Sequence, residues 1–166
     1  VDRFKYLNDS LGHGVGDQLL SVFSQRLVSA AEGQMVARLG GDEFTVLVQS
    51  SNAQATAMRI AERVLYSLRR PFSLSGQEMF VSASIGIAVS PGDGGEADQL
   101  IKNADLALHR AKSEGRATYR FFEAEMDAEM QLRCKLQTDL RHALAKGQFE
   151  LHYQPVVNLA RNDICG

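Results

Sequence analysis

Apolar residues recur every three or four positions at Val15, Leu19, Leu20, Phe23, Leu27 and Ala30, the spacing of one buried helix face over about 14–32. The segments "MVARL" and "EFTVLV" then flank Gly40 and Gly41 and predict a hairpin. Ala57, Ile60, Ala61, Val64, Leu65 and Leu68 define a second helix, ended by Pro71. In "EMFVSASIGIAV" the residues Met79, Val81, Ala83, Ile85, Ile87 and Val89 alternate with small or polar partners, the period of a long strand packed mainly on one face. The turn cluster "PGDGGEAD" opens a third helix with Ala97, Leu100, Ile101, Ala104, Ala107, Leu108 and Ala111 facing inward and Gly115 as its C-cap. "TYRFF" reads as a closing strand.

This order predicts an α/β (α+β) fold with a mixed, largely antiparallel sheet flanked by helices. "VDRFKYLNDSLGH" is too polar for the buried strand that should feed the first helix, so that strand is expected upstream of Val1. The absence of an initial methionine fits the expectation of an excised piece. From Glu123 to about Gly147, Met126, Met130, Leu136, Leu140 and Leu144 form a narrow stripe among charges, as in a linker helix. "FELHYQPVVNL" returns to strand character, with Pro155 suited only to a strand end or bulge, and reads as the opening of a second domain.

The 166 residues, 45% hydrophobic and 23% charged, suit one compact globular domain with a short extension. A net charge of -2 and a pI near 6.1 argue against a nucleic-acid partner, which would favour a basic face, and leave a small anionic ligand open. Cys134 and Cys165 match no disulfide framework or zinc spacing, which favours a reducing compartment. No apolar run approaches the roughly 18 residues of a membrane span, and no signal peptide is visible. A cytoplasmic location follows, with membrane anchoring of an intact parent chain left open.

"RLGGDEF" places Asp42 and Glu43 directly after two glycines. A tight turn explains Gly40 and Gly41. The acidic pair is either solvated surface or holds a cation. Three further stretches carry chemistry: "DRFKYLND" supplies Lys5, Asn8 and a run of backbone amides, "GHGVGD" supplies Asp17 in the first turn of the next helix, and "HRAKSEGR" supplies Lys112 and Arg116. Asn8 and Asp17 also suit helix caps. Lys112 and Arg116 also suit the cationic end of a helix.

Together "FKYLNDSLGHGVGD", "ARLGGDEF", "SIGIAV" and "ADLALHRAKSEGR" resemble the GGDEF domains that act as diguanylate cyclases, over roughly residues 1–122. The resemblance implies a nucleotide-cyclase palm-like sheet with a ferredoxin-like core, and GTP as substrate. It implies that two GTP molecules, one on each domain of a homodimer, are joined into cyclic di-GMP with release of two pyrophosphates. By the same resemblance Asp42 binds Mg2+ (or Mn2+) and is a candidate base for the 3′-hydroxyl, while Glu43 completes the acidic cluster. Gly40 and Gly41 let the backbone approach the nucleotide. The amides around Arg3, Phe4 and Lys5 face phosphate oxygens, Lys112 and Arg116 neutralise the outer phosphates, and Asn8 and Asp17 read guanine. Val1 gives the metal a backbone carbonyl, and the family's second metal-binding aspartate would stand immediately before it. "LRHALAKGQFELHYQPVVNL" resembles the entry to an EAL domain, which gives a GGDEF domain at 1–122, a linker helix at 123–147 and an EAL fragment at 148–166. An upstream sensory domain is implied as well. The alternative reading is a GTP-binding regulatory module that controls an attached cyclic di-GMP phosphodiesterase. Many cyclases of the family carry an Arg-x-x-Asp product-inhibition motif ahead of the acidic turn. Here Ala31 and Gln34 stand at those positions, so feedback through that motif is not expected.

Overall fold

The computed structural model describes residues 1–159, 161, 163 and 164; Cys165 lies outside the described residues. Two compact units divide the chain, Val1–Ala128 and Glu129–Gly166. The first opens with α1 (Phe4–Leu11) and α2 (His13–Ala30). A hairpin of β1 (Met35–Gly40) and β2 (Glu43–Leu47) follows, then α3 (Ala53–Ser67). Next come β3 (Phe72–Leu74), β4 (Gln77–Met79) and β5 (Ile85–Ile87). α4 (Ala97–Ser113) and β6 (Tyr119–Phe121) complete the sequence of elements before α5 (Ala124–Ala145).

The apolar periodicity of α2 and α3 is realised where it was read. Leu19, Phe23 and Leu27 of α2 and Ile60, Val64 and Leu68 at α3 join Phe72, Leu74 and Ala83 in one buried cluster. Phe44 closes it from the hairpin, its ring 5.2 Å from that of Phe23. Phe72 is fully buried, which at typical aromatic truncation costs is worth about 3–5 kcal/mol. Above it lies Arg26, whose guanidinium carbon is 3.8 Å from the ring centroid. Arg26 donates to the carbonyls of Ser67 (3.0 Å), Arg70 (2.7 Å) and Pro71 (2.6 Å), which supplies partners to the chain as it leaves α3. Burial, followed by the nearby Arg70 charge, lowers the Arg26 pKa from its ordinary value.

The predicted mixed, largely antiparallel character holds, but the strands pair two by two. β1–β2 and β3–β4 are antiparallel, and β5–β6 is parallel. The long strand expected over "EMFVSASIGIAV" is split, because residues 80–84 have no ladder partner among the described residues; one tie to the front of the chain is the Asp2 amide, which donates to the Ser82 carbonyl at 2.9 Å. A strand assignment needs a partner as well as a pattern. The β3–β4 hairpin was missed in the sequence reading. Its turn, Ser75 at φ 49° and Gly76 at φ 81°, is the two-residue left-handed kind that Ser-Gly supports. α1 was likewise not anticipated, since its short polar stretch has only two turns in which to show a period.

Gly86 of β5 is required by packing: a Cβ there would fall 1.9 Å from the Ala104 carbonyl oxygen, so α4 lies directly on the strand backbone. Ala97 and Ile101, expected inward, are exposed, and Asn103 is buried instead. Asn103 donates to the Asp93 carbonyl at 2.6 Å and accepts from Gln99 at 2.9 Å, so its burial is satisfied.

In the second unit the stripe of α5 is exposed at Leu136, Leu140 and Leu144, as is Leu132 beside it. The strand expected at "FELHYQPVVNL" is present only at its end, as β7 (Val157–Asn158) paired antiparallel with β8 (Asp163–Ile164).

Candidate nucleotide site

The turn between β1 and β2 brings Gly40 opposite Glu43, with a register irregularity between Arg38 and Gly40. Only Gly41 uses glycine's conformational freedom, at φ 51°. At both glycines an added Cβ would meet open space, which leaves the turn's backbone accessible. Arg38 donates from Nε at 2.9 Å and from Nη2 at 2.6 Å to the Gly41 carbonyl and so pins the turn from behind. Sequence reasoning overlooked this arginine.

Val1 lies beside the turn. Its nitrogen donates to the Asp42 carbonyl at 3.0 Å and stands 3.4 Å from Asp42 Oδ2. The two residues proposed to share a cation are thus neighbours across the fold, although 41 positions apart. Glu43 is exposed on the other side of the same turn.

A cleft of about 510 Å3 runs from Val1 along α1, and its lining includes Arg3, Phe4, Ser82 and Arg116. Arg3 begins α1 in the left-handed region, at φ 57°. The first-turn amides of Phe4 and Lys5 have no intrahelical acceptors by construction. Opposite them, α4 ends in a Schellman turn: Glu114 is the C-cap, Gly115 follows at φ 119°, and the Arg116 amide donates to the Ala111 carbonyl at 3.1 Å. This turn delivers Arg116 to the cleft. Lys112, half-buried, lies one turn earlier on α4 and is not among the cleft-lining residues. Glu114 accepts from Arg110 and, at 2.6 Å, from Arg120; these two hydrogen bonds, in that order, hold its carboxyl below the usual carboxylate range.

Neither Asn8 nor Asp17 is a cap. Asn8 is inside α1, and Asp17 is the fifth residue of α2, past the first turn in which it was expected, with Gly12 at the helix start. Asn8 Oδ1 is buried and has no hydrogen-bond partner. It sits where a Cβ on Gly16 would come within 1.8 Å, so Gly16 is what admits the side chain between the helices. Asp17, the next residue, is exposed. An orphaned buried acceptor beside an exposed carboxylate is the arrangement that a ligand rich in N–H donors would complete.

The structure therefore gathers Val1 with Asp42, Arg3 and Phe4 with Arg116, and Asn8 with the Gly16–Asp17 segment. Asp2 was missed. It is buried, and it accepts from Ser82 Oγ and Ser84 Oγ, each at 2.8 Å, and from the Ala117 amide at 3.3 Å. The signal for it was an aspartate facing two serines on alternate positions of "SAS", a pairing invisible until the fold brings them together.

A family profile described as "Diguanylate cyclase, GGDEF domain" matches residues 1–118. The chain belongs to the GGDEF family. It is 44% identical, over 95% of its length and 23% of the relative's, to the bifunctional diguanylate cyclase/cyclic di-GMP phosphodiesterase MucR of Pseudomonas aeruginosa. It is 38% identical, over 99% of its length and 21% of the relative's, to the cyclic di-GMP phosphodiesterase NbdA of the same organism. The GGDEF domain thus spans, with its extension, 21–23% of the length of these curated relatives. Among solved structures, the GGDEF domain of P. aeruginosa TpbB (YfiN) superposes with a TM-score of 0.75 at 39% identity, covering 78% of this chain and 77% of that one. Among the described residues no helix of the GGDEF chain is long and apolar enough to cross a membrane.

Proposed function

We propose that this GGDEF domain condenses two GTP molecules into cyclic di-GMP. The observation that carries the reading is the contact of Asp42 with Val1, which itself lines the α1 cleft. In this reading the first-turn amides at Arg3, Phe4 and Lys5 take phosphate oxygens, and Lys112 and Arg116 balance the remaining phosphate charge. Asn8 Oδ1 and Asp17 accept from the N–H groups on guanine's edge; adenine does not present that pair of donors.

The Asp42 carboxylate and the Val1 carbonyl are hard oxygen donors on adjacent chain segments, with Glu43 beside them. They suit a Mg2+ or Mn2+ ion that keeps several waters and takes few protein ligands. Bound there, the cation supplies Lewis-acid stabilisation of charge on the α-phosphate.

Asp42 accepts the proton of one nucleotide's 3′-hydroxyl, whose oxygen attacks the α-phosphorus of the other GTP. The bond to the β-phosphate breaks and pyrophosphate leaves. The same exchange in the opposite sense closes the ring. Each domain holds one GTP, so a homodimer presents the two face to face. Within a parent protein the domain would occupy residues 1–122, the helix at 123–147 would link it onward, and 148–166 would begin an EAL domain, with a sensory domain upstream. GTP supply places this chemistry in the cytoplasm.

A second reading is favoured by the relatives named phosphodiesterases, NbdA among them: the domain binds GTP and regulates an attached cyclic di-GMP phosphodiesterase. Incubation of the full-length protein with GTP and magnesium, beside cyclic di-GMP alone, separates the two. Formation of cyclic di-GMP supports synthesis. Hydrolysis that GTP accelerates, with no synthesis, selects the regulatory module.

A further inference from the structure

We infer that Asp2 is a positioning residue for the triphosphate, acting through the loop that carries Arg116; the inference rests on the nucleotide reading above. Gly115, Arg116 and Ala117 are three successive residues at positive φ: 119°, 67° and 50°. Glycine accepts this region freely. For the other two it is a cost, of about 1–2 kcal/mol per residue, that persists only where neighbours impose it. Two hydrogen bonds do so. The Arg116 amide is fixed by the Ala111 carbonyl at 3.1 Å, and the Ala117 amide by Asp2 Oδ2 at 3.3 Å.

Asp2 is itself immobilised. Ser82 and Ser84 each hold one of its oxygens at 2.8 Å, and its own amide donates to the Ser82 carbonyl at 2.9 Å. One buried carboxylate therefore ties the start of α1, the segment before β5 and the end of α4 together. Val1 and Arg3, its chain neighbours, line the same cleft as Arg116. Without the Asp2 acceptor the Ala117 amide has nothing to hold it left-handed, and Arg116 loses its set relation to the α1 amides.

The donors make a sharp test possible. A backbone amide can only donate, whereas serine hydroxyls rotate and either donate or accept. Asp2→Asn can turn its carbonyl oxygen toward Ala117 and its amide toward a serine oxygen. Asp2→Ala can do neither. The probes are GMP and a GTP analogue with methylene between the α- and β-phosphates, which cannot release pyrophosphate, titrated into the full-length protein with magnesium.

The expected result is that Asp2→Ala weakens the triphosphate analogue by about tenfold or more, the scale of a lost charge-assisted contact. GMP should change little, and Asp2→Asn should retain most of the affinity. The double variant Asp2→Ala/Arg116→Ala should bind no worse than Arg116→Ala alone. Equal losses on GMP and the analogue, or losses that add in the double variant, overturn the inference. If Arg116→Ala itself leaves the preference for the triphosphate unchanged, the phosphate reading fails first, and visibly so. Should Asp2→Ala lose its cooperative thermal transition, Asp2→Ser takes its place, since its hydroxyl fits the same space but is too short to reach Ala117.

Discussion

The acidic turn and the Asp2 junction are joined through adjacent residues, Val1 and Asp2, yet they are built on opposite terms. At the turn Gly40, Gly41 and Glu43 are exposed, Asp42 is half-buried, and the constraint is main-chain: Val1 and Arg38 both bond carbonyl oxygens. At the junction a buried carboxylate holds three donors from distant parts of the chain. The turn leaves its carboxylates available for chemistry, and the junction spends its carboxylate on geometry. Two acids of the same type thus differ in role because one has its hydrogen-bonding capacity filled by the protein and the other does not.

The comparison breaks most clearly at Asp42. Its carboxylate has one ionic neighbour, the Val1 nitrogen at 3.4 Å, and is half-exposed, so Asp42→Ala should change stability by no more than about 1 kcal/mol. Synthesis should fall by about 10²–10⁴-fold, the range of a lost general base. Initial rates with GTP and magnesium, beside a thermal melt, check both halves. Near-normal synthesis would remove Asp42 from the mechanism, and a large stability loss would make the turn structural after all.

Asp17 extends the exposed side to base recognition. Asp17→Ala should cost about 1.5–3 kcal/mol of GTP binding, the value of a charge-assisted hydrogen bond, and narrow the preference for GTP over ATP. Titration with both nucleotides decides it. An unchanged preference would leave Asp17 as a solvated residue of α2.

These residues stand out as candidates in the sequence because each contributes a distinct functional group within a short motif, and because glycines mark the turn that presents two of them. The helices were legible wherever a face of four or more apolar residues repeats, as at Leu19, Phe23 and Leu27. What sequence could not reveal depends on partners. The strand at 80–84 has the right alternation but lacks a ladder. Asp2 looks like any polar residue until Ser82 and Ser84 are brought against it, and Gly16 is an ordinary helical glycine until Asn8 occupies the space of its missing Cβ. Asn103 carried no apolar signal, and its burial follows from the Asp93 carbonyl that it satisfies.

A smaller effect belongs to the junction's rim. The Glu114 carboxyl is held below its ordinary range by Arg110 and then Arg120. A depressed folded-state pKa stabilises above the unfolded value and is lost as pH falls through the folded one. Acidification from neutral through and below the ordinary carboxylate range should therefore lower the melting temperature of the wild type more steeply than that of Glu114→Gln. The exposure of the cluster keeps the difference modest. Parallel slopes in the two proteins would show that the ion pairs contribute nothing measurable.

The smallest expected effect is none at all, and it lies away from both regions. At the positions of the family's product-inhibition motif, Ala31 is fully buried and Gln34 accepts from the Gln49 amide at 2.9 Å. Between them Glu32 pairs with Arg59, at 2.9 Å, and with Arg63. Alanine has no guanidinium fork to grip a phosphate or a guanine edge, and glutamine has no charge to offer a base. The two arginines that face this surface share one carboxylate from within, Glu32, so an incoming phosphate would have to compete with it. Added cyclic di-GMP should leave the initial synthesis rate unchanged, measured under conditions in which the added product is verified to persist. Gln34→Ala should behave the same. Non-competitive inhibition at low micromolar product, lost in Gln34→Ala, would show instead that this surface binds product in an altered form; inhibition that survives Gln34→Ala but disappears in Arg63→Ala would place the binding on the α3 arginines, with Glu32 yielding its place to the ligand.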